Sequence, residues 1–334
     1  MPAADPGHGP TRGHPGAGAA ASGRPGGVAA AVRAAGETAV RLTRRRLLQA
    51  GWASASAALA AGGTAAYAVA VEPGFRLVVQ EYRLSLPGWN GRPPLTVCVL
   101  SDPHCCEPWM SLARLGRVVR LANALRPDLH VVLGDLPAHH RFVSARVPMA
   151  DVAAVLAGLD APLGRFAVLG NHDWWDDPDV QRRRAGRPAI EGLLNGAGIP
   201  VLANAARLLP HGAGVWLCGT DSTLAFLSGG GMDDLDATLA QVRGEAPAIL
   251  LAHEPDLFPR VPPRLGLTLS GHTHGGQVRA FGHSPVVPSR HGNRYAYGLV
   301  EEAGRRLIVS GGLGCSIVPV RLGVPPELTL VHLI

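Results

Sequence analysis

The chain contains no lysine, since all 31 basic residues among its 334 are arginine. Schiff-base chemistry and phosphate binding by a Walker-type loop both need a lysine, so both are excluded. Cysteine is also scarce. The five cysteines are odd in number and contain no Cys-x-x-Cys spacing, which indicates neither a disulfide framework nor a structural zinc knuckle. Any metal site must therefore use histidine and carboxylate ligands.

Most of the chain also lacks an excess of one charge. The formal net charge is +6, but residues 1–46 hold seven arginines against Asp5 and Glu37, which accounts for +5. The remaining 24 arginines face 23 acids and leave only +1. Nucleic-acid binding needs basic residues concentrated on the folded domain, so we predict no nucleic-acid partner.

The first 71 residues predict a tail followed by an export or anchoring segment. Residues 1–43 consist mainly of Ala, Gly, Pro and Arg, which bury too little apolar surface to fold, so we expect disorder. Arg45-Arg46 then precedes Leu47-Leu48 and an uncharged stretch that ends at Val71. This arrangement is similar to a twin-arginine export signal, and a basic cap on an ordinary surface helix is the alternative.

We predict export by the twin-arginine translocation machinery to the periplasmic or extracytoplasmic side. Residues 44–71 contain a small-residue cleavage site, Ala68-Val69-Ala70, and are also long enough to remain as a membrane anchor. Both fates stay open at the level of sequence. In either case we expect a membrane surface among the partners.

Short apolar runs separated by amphipathic stretches fill the chain from about residue 75 onward. Runs of about 3 to 7 residues with little alternation are typical of strands buried on both faces. Leucines at helical spacing over 112–125 and 235–242 predict two helices. The pattern therefore predicts an α/β fold. The apolar runs are 95–100, 129–133, 166–169, 215–218, 249–252, 265–269, 307–309 and 328–334.

Polar clusters follow five of these runs at the point where each run ends. Ligands of open α/β sheets bind beyond the carboxyl ends of the strands, so the five clusters are expected to point into one crevice. Two divalent cations about 3.5 to 4 Å apart need oxygen and imidazole ligands and one bridging carboxylate. The clusters supply these groups: Ser101-Asp102-Pro103-His104, Gly134-Asp135, Gly170-Asn171-His172-Asp173, His253-Glu254 and Ser270-Gly271-His272-Thr273-His274.

These motifs, in this order, resemble those of the calcineurin-like metallophosphoesterases. The resemblance covers roughly residues 76–334. Within the family the chain looks most similar to the bacterial exported or membrane-associated branch, because of the segments 251–256, 271–277 and 321–327. The resemblance implies one catalytic domain over 76–334, built as a four-layer α/β sandwich in which two facing β-sheets are flanked by helices.

The resemblance also implies a role for each motif residue. His172 resembles the imidazole that binds a phosphoryl oxygen and helps to protonate the leaving group. A hydroxide held between two divalent cations is the expected nucleophile, and Mn, Zn, Fe and Ni all suit mixed oxygen and nitrogen ligands. The first cation would be held by Asp102, His104, Asp135 and His274, and the second by Asp135, Asn171, His253 and His272, with Asp135 as the bridge.

The chain departs from the family pattern at two places. Many members carry an Asp three residues after the Gly-Asp motif to orient the catalytic imidazole, but Ala138 occupies that position. His139 or His140 is a possible replacement, and otherwise His172 lacks its orienting partner. Cys105-Cys106 follows the Asp-x-His motif, and we expect these residues to fill buried space rather than to bind metal.

The predicted function is hydrolysis of a phosphodiester or pyrophosphate bond in an envelope lipid or a nucleotide-linked lipid. The branch includes enzymes similar to the UDP-2,3-diacylglucosamine hydrolases of lipid A biosynthesis, so the expected partner is a phosphoester substrate, and a lipid-linked substrate is one option. Trp174 and Trp175 are candidates for an apolar wall of the site, with core packing as the alternative. The rival prediction is an exported metal-binding or scaffolding protein that keeps the ligands with little turnover, and Ala138 supports it.

Residues outside the motifs receive simpler interpretations. We expect Arg182, Arg183 and Arg184 to lie on a solvated helix face. The remaining histidines are expected to be structural or exposed, namely His8, His14, His130, His211, His283, His291 and His332.

Overall fold

The computed structural model describes residues 43–86, 88–89, 91–210 and 213–334. The predicted disordered tail lies outside these ranges except for Thr43, and His211 also lies outside them. The described residues divide into two units, one that ends at Ala58 and one that comprises Leu59–Ile334. All the predicted site residues belong to the second unit.

An apolar helical stretch begins at Arg44. It comprises α1 (Arg44–Ala66), one π-helical turn (Tyr67–Val71) and α2 (Glu72–Phe75). By length and composition alone, Arg44–Phe75 is the one stretch of the described residues that could cross a membrane, and a signal sequence passes the same test.

Two large sheets and one small sheet make up the β-structure of the described residues. The first sheet has the order β1-β13-β2-β4-β6, the second has the order β11-β12-β10-β9-β8-β7, and β3 pairs with β5. Their bounds are β1 (Val78–Leu84), β2 (Leu95–Leu100), β3 (Cys106–Glu107), β4 (Leu129–Val132), β5 (Ala145–Arg146), β6 (Arg165–Ala167), β7 (Ala205–Leu208), β8 (Trp216–Gly219), β9 (Ala248–Leu251), β10 (Leu265–Ser270), β11 (Gly298–Glu302), β12 (Arg305–Val309) and β13 (Glu327–Leu333).

Helices with local capping groups connect these strands. Ser111 Oγ accepts a hydrogen bond from Arg114 N (3.2 Å) at the start of α3, and Asp234 caps α8 in the same way. The two helices predicted from leucine spacing are therefore present. The bounds are α3 (Leu112–Ala124), α4 (Met149–Leu156), α5 (Asn171–Trp175), α6 (Pro178–Arg183), α7 (Ala189–Gly196) and α8 (Leu235–Ala240), with 3₁₀ turns at Pro255–Arg260, His274–Gly276 and Gly292–Tyr295.

Both faces of the inner strands of each large sheet are buried. Val97 of β2 belongs to the apolar layer between the sheets, together with Ile249 of β9. The next residue, Cys98, points to the other side and packs in the layer that contains Leu115 of α3. On the outer face of the second sheet, Leu250 packs with Leu235 of α8 and residues of the 3₁₀ turns. This arrangement confirms the predicted fold of two facing β-sheets flanked by helices.

Every predicted apolar run overlaps a strand, and the edge strand β6 is among them, but the other edge strands of the two large sheets, β1, β7 and β11, were not predicted. Strand β11 is the clearest case, because its sequence Gly-Leu-Val-Glu-Glu is partly exposed and ends in two acids. An edge strand has solvent on one side and therefore carries no uninterrupted apolar run. The inner strands that lead to the site are mostly parallel, so their carboxyl ends meet at one edge.

Candidate metal centre

The predicted site residues follow five strands and meet at one edge of the two sheets. Backbone hydrogen bonds join the loops after these strands. Asp102 N donates to Gly134 O (3.1 Å), His104 N donates to Asp135 O (3.1 Å), and Gly271 N donates to His253 O (3.0 Å). The loops carry Asp102 and His104 after β2, Asp135 after β4, Asn171 and His172 after β6, His253 after β9, and His272 and His274 after β10.

Five of the seven predicted ligands have left-handed backbone conformations. The φ angles are 53° at Asp102, 44° at His104, 57° at Asp135, 68° at His272 and 51° at His274. Left-handed φ is uncommon for residues other than glycine, and such strained residues cluster at functional sites. The concentration of strain at this edge indicates a functional site.

Two glycines let the backbone approach the carboxylates. A Cβ atom at Gly170 would clash with Asp135 Oδ1 and His253 Cε1, and one at Gly271 would clash with the Asp102 carboxylate. Both positions therefore require the absence of a side chain.

Asp102, His104 and His274 form one group of potential ligand atoms. The Nε2 atoms of the two imidazoles lie 3.0 Å apart, and His274 Nε2 is 3.5 Å from Asp102 Oδ1. His104 Nδ1 lies 2.9 Å from Pro137 O, which can only accept a hydrogen bond, so Nε2 carries the lone pair. Burial lowers the pKa of His104, and burial together with His104 and Arg321 lowers the pKa of His274. Neutral imidazole is the form that binds metal.

Asp135, His253 and His272 form a second group. His253 Nε2 lies 3.2 Å from Asp135 Oδ2, and this buried nitrogen has no hydrogen-bond partner in the part of the chain that the structure describes. Its other nitrogen, Nδ1, donates to Leu133 O (2.6 Å). Asn171 belongs to the same neighbourhood, since its Oδ1 lies 2.9 Å from His272 Nδ1.

Asp135 lies between the two groups. Its Oδ2 is 3.2 Å from His253 Nε2 and 3.7 Å from His104 Nε2. Burial disfavours the ionised carboxylate, but His253 and His172 outweigh burial and hold the pKa of Asp135 well below its usual range. Burial likewise disfavours a charged His253, but Asp135 and Asp102 outweigh it and raise the pKa of His253 well above its usual range.

The residues at this edge fit divalent cations. Buried carboxylates next to imidazoles are the ligand set of Mn, Fe, Ni and Zn sites, and His253 Nε2, which has no hydrogen-bond partner among the described residues, is the atom at which a metal ion would replace a proton. The negative charge of Asp135 and Asp102, which attracts a proton to His253, attracts a metal ion equally. All seven predicted ligands are brought together here.

Asp173 is a site residue to which the sequence assigned no role. Its carboxylate accepts hydrogen bonds from the backbone nitrogens of Asp135 (2.8 Å), Leu136 (2.9 Å) and Gly170 (2.8 Å). It thereby fixes the loop after β4 to the loop after β6. Burial and the neighbouring Asp135 raise the pKa of Asp173 to about 7, although the hydrogen bonds from the three backbone N–H groups act to lower it. The position of Asp173 at the end of the Gly-Asn-His-Asp motif is the feature of the sequence that could have indicated this role.

The side chain next to His172 is His139. The two Nδ1 atoms lie 2.8 Å apart, and His139 Nε2 is 2.9 Å from Asp176 Oδ1, which also accepts from Arg146 Nη1 (2.9 Å). His140 points elsewhere, with Nε2 4.0 Å from Cys106 Sγ. Of the two alternatives that the sequence left open, the structure therefore places His139 beside the catalytic candidate.

The other candidates have simpler surroundings. Cys105 and Cys106 are buried, and the groups of potential metal ligands found among the described residues contain neither of them. Trp174 packs in the core against Phe226, whereas Trp175 lines a cleft beside the ligand groups. Of the two interpretations that the sequence allowed, core packing therefore applies to Trp174, and a position on the wall of the cleft applies to Trp175.

That cleft has a volume of about 400 Å³ and leads away from the ligand groups. Asp135, Asn171, His172, His272 and His274 form its inner end. Its outer walls are largely apolar and include Trp175, Val278, Pro285, Val286, Ile317 and Val318.

Comparison with known proteins gives the same family that the order of the motifs indicated. Residues 95–276 match the family model described as calcineurin-like phosphoesterase. The phosphodiesterase YaeI of Escherichia coli is 30% identical over 301 residues, which cover 88% of this chain and 100% of the relative. The uncharacterized metallophosphoesterase YkuE of Bacillus subtilis is 28% identical over 300 residues, covering 88% of this chain and 98% of that protein.

A membrane protein is also among the relatives. A transmembrane protein with metallophosphoesterase domain from Bos taurus is 31% identical over 249 residues, which cover 70% of this chain and 52% of the relative, so the match spans about half of that protein. Divalent metal ions are typical of the family, in agreement with the ligand groups at the sheet edge. The family match and the relatives together establish that the chain belongs to the calcineurin-like phosphoesterase family and is a phosphoester hydrolase.

Proposed function

We propose that the chain hydrolyses a phosphodiester or pyrophosphate bond of an envelope lipid or nucleotide-linked lipid. The observation that carries the proposal is the position of the two ligand groups, which lie on either side of the Asp135 carboxylate at the inner end of a largely apolar cleft. A phosphoester placed at the ligand groups would have its apolar portion beside Trp175 and Val286. Acyl chains suit such walls better than a polar leaving group does.

We assign two divalent cations to the site. When bound, they activate water at neutral pH and neutralise the charge that develops on the phosphoryl oxygens. The remaining chemistry belongs to the protein, which orients the phosphoester and moves a proton to its leaving group. In this assignment Asp102, His104, Asp135 and His274 hold one cation, and Asp135, Asn171, His253 and His272 hold the other.

His172 is assigned to the proton transfer. Its backbone N donates to Asp135 Oδ1 (2.8 Å), which fixes the residue beside the bridging carboxylate. Burial lowers the pKa of its imidazole to about 3, so the free ring is neutral. Because His172 Nδ1 faces His139 Nδ1, the other ring nitrogen of His172, Nε2, is left to donate a proton to a phosphoryl or leaving-group oxygen.

The same pair weakens the rival proposal of a scaffold without turnover. That proposal depends on Ala138, which removes the usual orienting carboxylate. His139, held by Asp176, stands at hydrogen-bond distance from the ring that the missing carboxylate would orient.

We also propose that residues 44–71 direct export and then remain as an anchor of the catalytic domain, residues 76–334. Arg321 N donates to Ala68 O (2.9 Å), and Val324 N donates to Glu72 Oε1 (2.9 Å). Cleavage after Ala70 would remove the first of these contacts, which favours retention. The transmembrane relative from Bos taurus supports a membrane location.

Asp135→Asn should abolish the hydrolysis of an aryl phosphodiester assayed with added Mn²⁺. Loss of the bridging charge costs several kcal/mol of transition-state stabilisation, so activity should fall by at least ~100-fold. Asp179→Asn is the matched control, because Asp179 is an exposed residue whose partner is Arg182. Retention of more than about a tenth of the activity by Asp135→Asn would contradict the assignment.

His139→Ala should lower kcat about 10- to 100-fold with little change in KM, because His172 would lose its orienting partner. Ala138→Asp in the same background supplies the carboxylate typical of the family and should restore part of kcat. Steady-state kinetics on the aryl phosphodiester measures both effects. A kcat of His139→Ala within about twofold of the wild-type value would show that His172 needs no such partner.

Arg45→Lys with Arg46→Lys keeps the charge of the export segment but removes the twin-arginine address, so export should fail. Protease treatment of intact spheroplasts should then degrade the wild-type domain and spare the variant. Arg41→Lys serves as the control and should leave export unchanged. An exported double variant would argue against the twin-arginine route, and a domain protected in the wild type would place the site on the cytoplasmic side.

A further inference from the structure

A tight turn presents one phenylalanine to solvent beside the cleft. Ala280 N donates to His283 O, and His283 N donates to Ala280 O, both at 2.9 Å. Phe281 stands at the tip of this turn, and its side chain is fully exposed. A phenylalanine ring is more stable when apolar surface covers it, and Phe281 marks an interaction surface when further exposed apolar side chains accompany it.

Two further exposed apolar side chains lie on the mouth of the same cleft. Val286, on the chain that returns from the turn, is 68% exposed, and Ile317, on a separate loop, is 72% exposed. Both line the cleft. We call Phe281, Val286 and Ile317 the apolar rim. Apolar side chains grouped at the entrance of a site, rather than scattered singly, mark an interaction surface.

The charge around the rim suits an anionic surface. No acidic residue occurs between Asp256 and Glu301, or between Glu302 and Glu327. Arg279 lies at the base of the turn, where its cation faces the Tyr297 ring and donates to Ser284 Oγ (3.3 Å). No carboxylate pairs with Arg279 among the described residues. An anionic lipid headgroup is attracted to such a cation and meets no carboxylate from these two segments.

The base of the turn is fastened to the segment that also holds the end of the apolar helix. Arg279 N donates to Leu322 O, and Leu322 N donates to Gln277 O, both at 2.8 Å. The neighbouring Arg321 and Val324 make the hydrogen bonds to Ala68 and Glu72 described above. Under the proposed anchoring by residues 44–71, the end of this helix lies at the bilayer surface, and a turn attached to the same short segment lies within reach of that surface.

We propose that the apolar rim inserts into the surface of an anionic lipid bilayer and that the cleft receives its substrate directly from that bilayer. The substrate is then a phosphoester whose acyl chains remain in the membrane while its phosphate reaches the ligand groups. The docking surface is independent of turnover, but the identity of the substrate rests on the proposed function.

A spin label at position 281 tests the docking surface. The five native cysteines are buried, so Phe281→Cys can be labelled selectively in the full chain. In vesicles of phosphatidylglycerol and phosphatidylcholine, the label should be accessible to oxygen and protected from a water-soluble nickel reagent. Leu208→Cys is the control, because Leu208 is half exposed and pairs with Trp216 at the end of β8 opposite the site.

The label at 208 should remain accessible to the nickel reagent. Equal nickel access at 281 and 208 would overturn the proposal. Protection at 281 that depends on protein concentration and persists in detergent without lipid would also overturn it, because a second copy of the chain would then be the partner.

Hydrolysis of a vesicle-embedded ester and of a soluble ester distinguishes failure of docking from failure of the proposed function. Phe281→Asp should lower hydrolysis of a vesicle-embedded fluorescent phospholipid phosphodiester by ~10-fold or more, and should change hydrolysis of a soluble aryl phosphodiester by less than about twofold. Equal activity of variant and wild type on vesicles would contradict delivery from the bilayer. If the label on Phe281→Cys inserts into vesicles but the wild-type chain hydrolyses only the soluble ester, the docking surface stands and the lipid substrate is overturned.

Discussion

The Asp135 carboxylate lies between two sets of imidazoles, and its burial determines what the surrounding structure must provide. An isolated buried charge costs several kcal/mol, so it persists only where cations, protons or hydrogen bonds compensate it. His253 supplies part of that compensation, and the backbone N–H of His172 supplies more. A pair of divalent cations on either side of Asp135 would complete it.

Parallel strands and strained loops bring the compensating groups to Asp135. Because the inner strands of both sheets end at the same edge, side chains distant in sequence reach one another without long connections. The left-handed conformations at Asp102, His104 and Asp135 turn their side chains toward the shared centre. The apolar layers on both faces of the sheets supply the stability that lets the loops carry this strain.

The sequence predicted the inner part of this arrangement because the relevant signals are local. Uninterrupted apolar runs identified β2, β4, β9 and β10, and each polar cluster followed its run directly. Edge strands such as β11 escaped prediction because half-exposed strands carry no such run. The strain at His272 has no signature in the residue itself, since neither its type nor its neighbours impose a positive φ.

Contacts between residues distant in the sequence were the second feature of the site that could not be predicted. Asp176 lies 37 residues from His139, and nothing in either neighbourhood links them before the chain is folded. The sequence could name His139 and His140 as replacements for the absent acid at position 138, but only the folded chain distinguishes the two. The apolar cleft was unpredictable for the same reason, because Trp175, Val286 and Ile317 come from three separate loops.

The central claim is that Asp135 joins two cations in one centre. Electron paramagnetic resonance of the full chain loaded with increasing Mn²⁺ tests it directly, because two manganese ions that share a carboxylate are magnetically coupled. We expect a coupled dinuclear spectrum in the wild-type protein and only isolated-ion signals in Asp135→Asn. Isolated-ion signals from the wild-type protein at every loading would contradict the account.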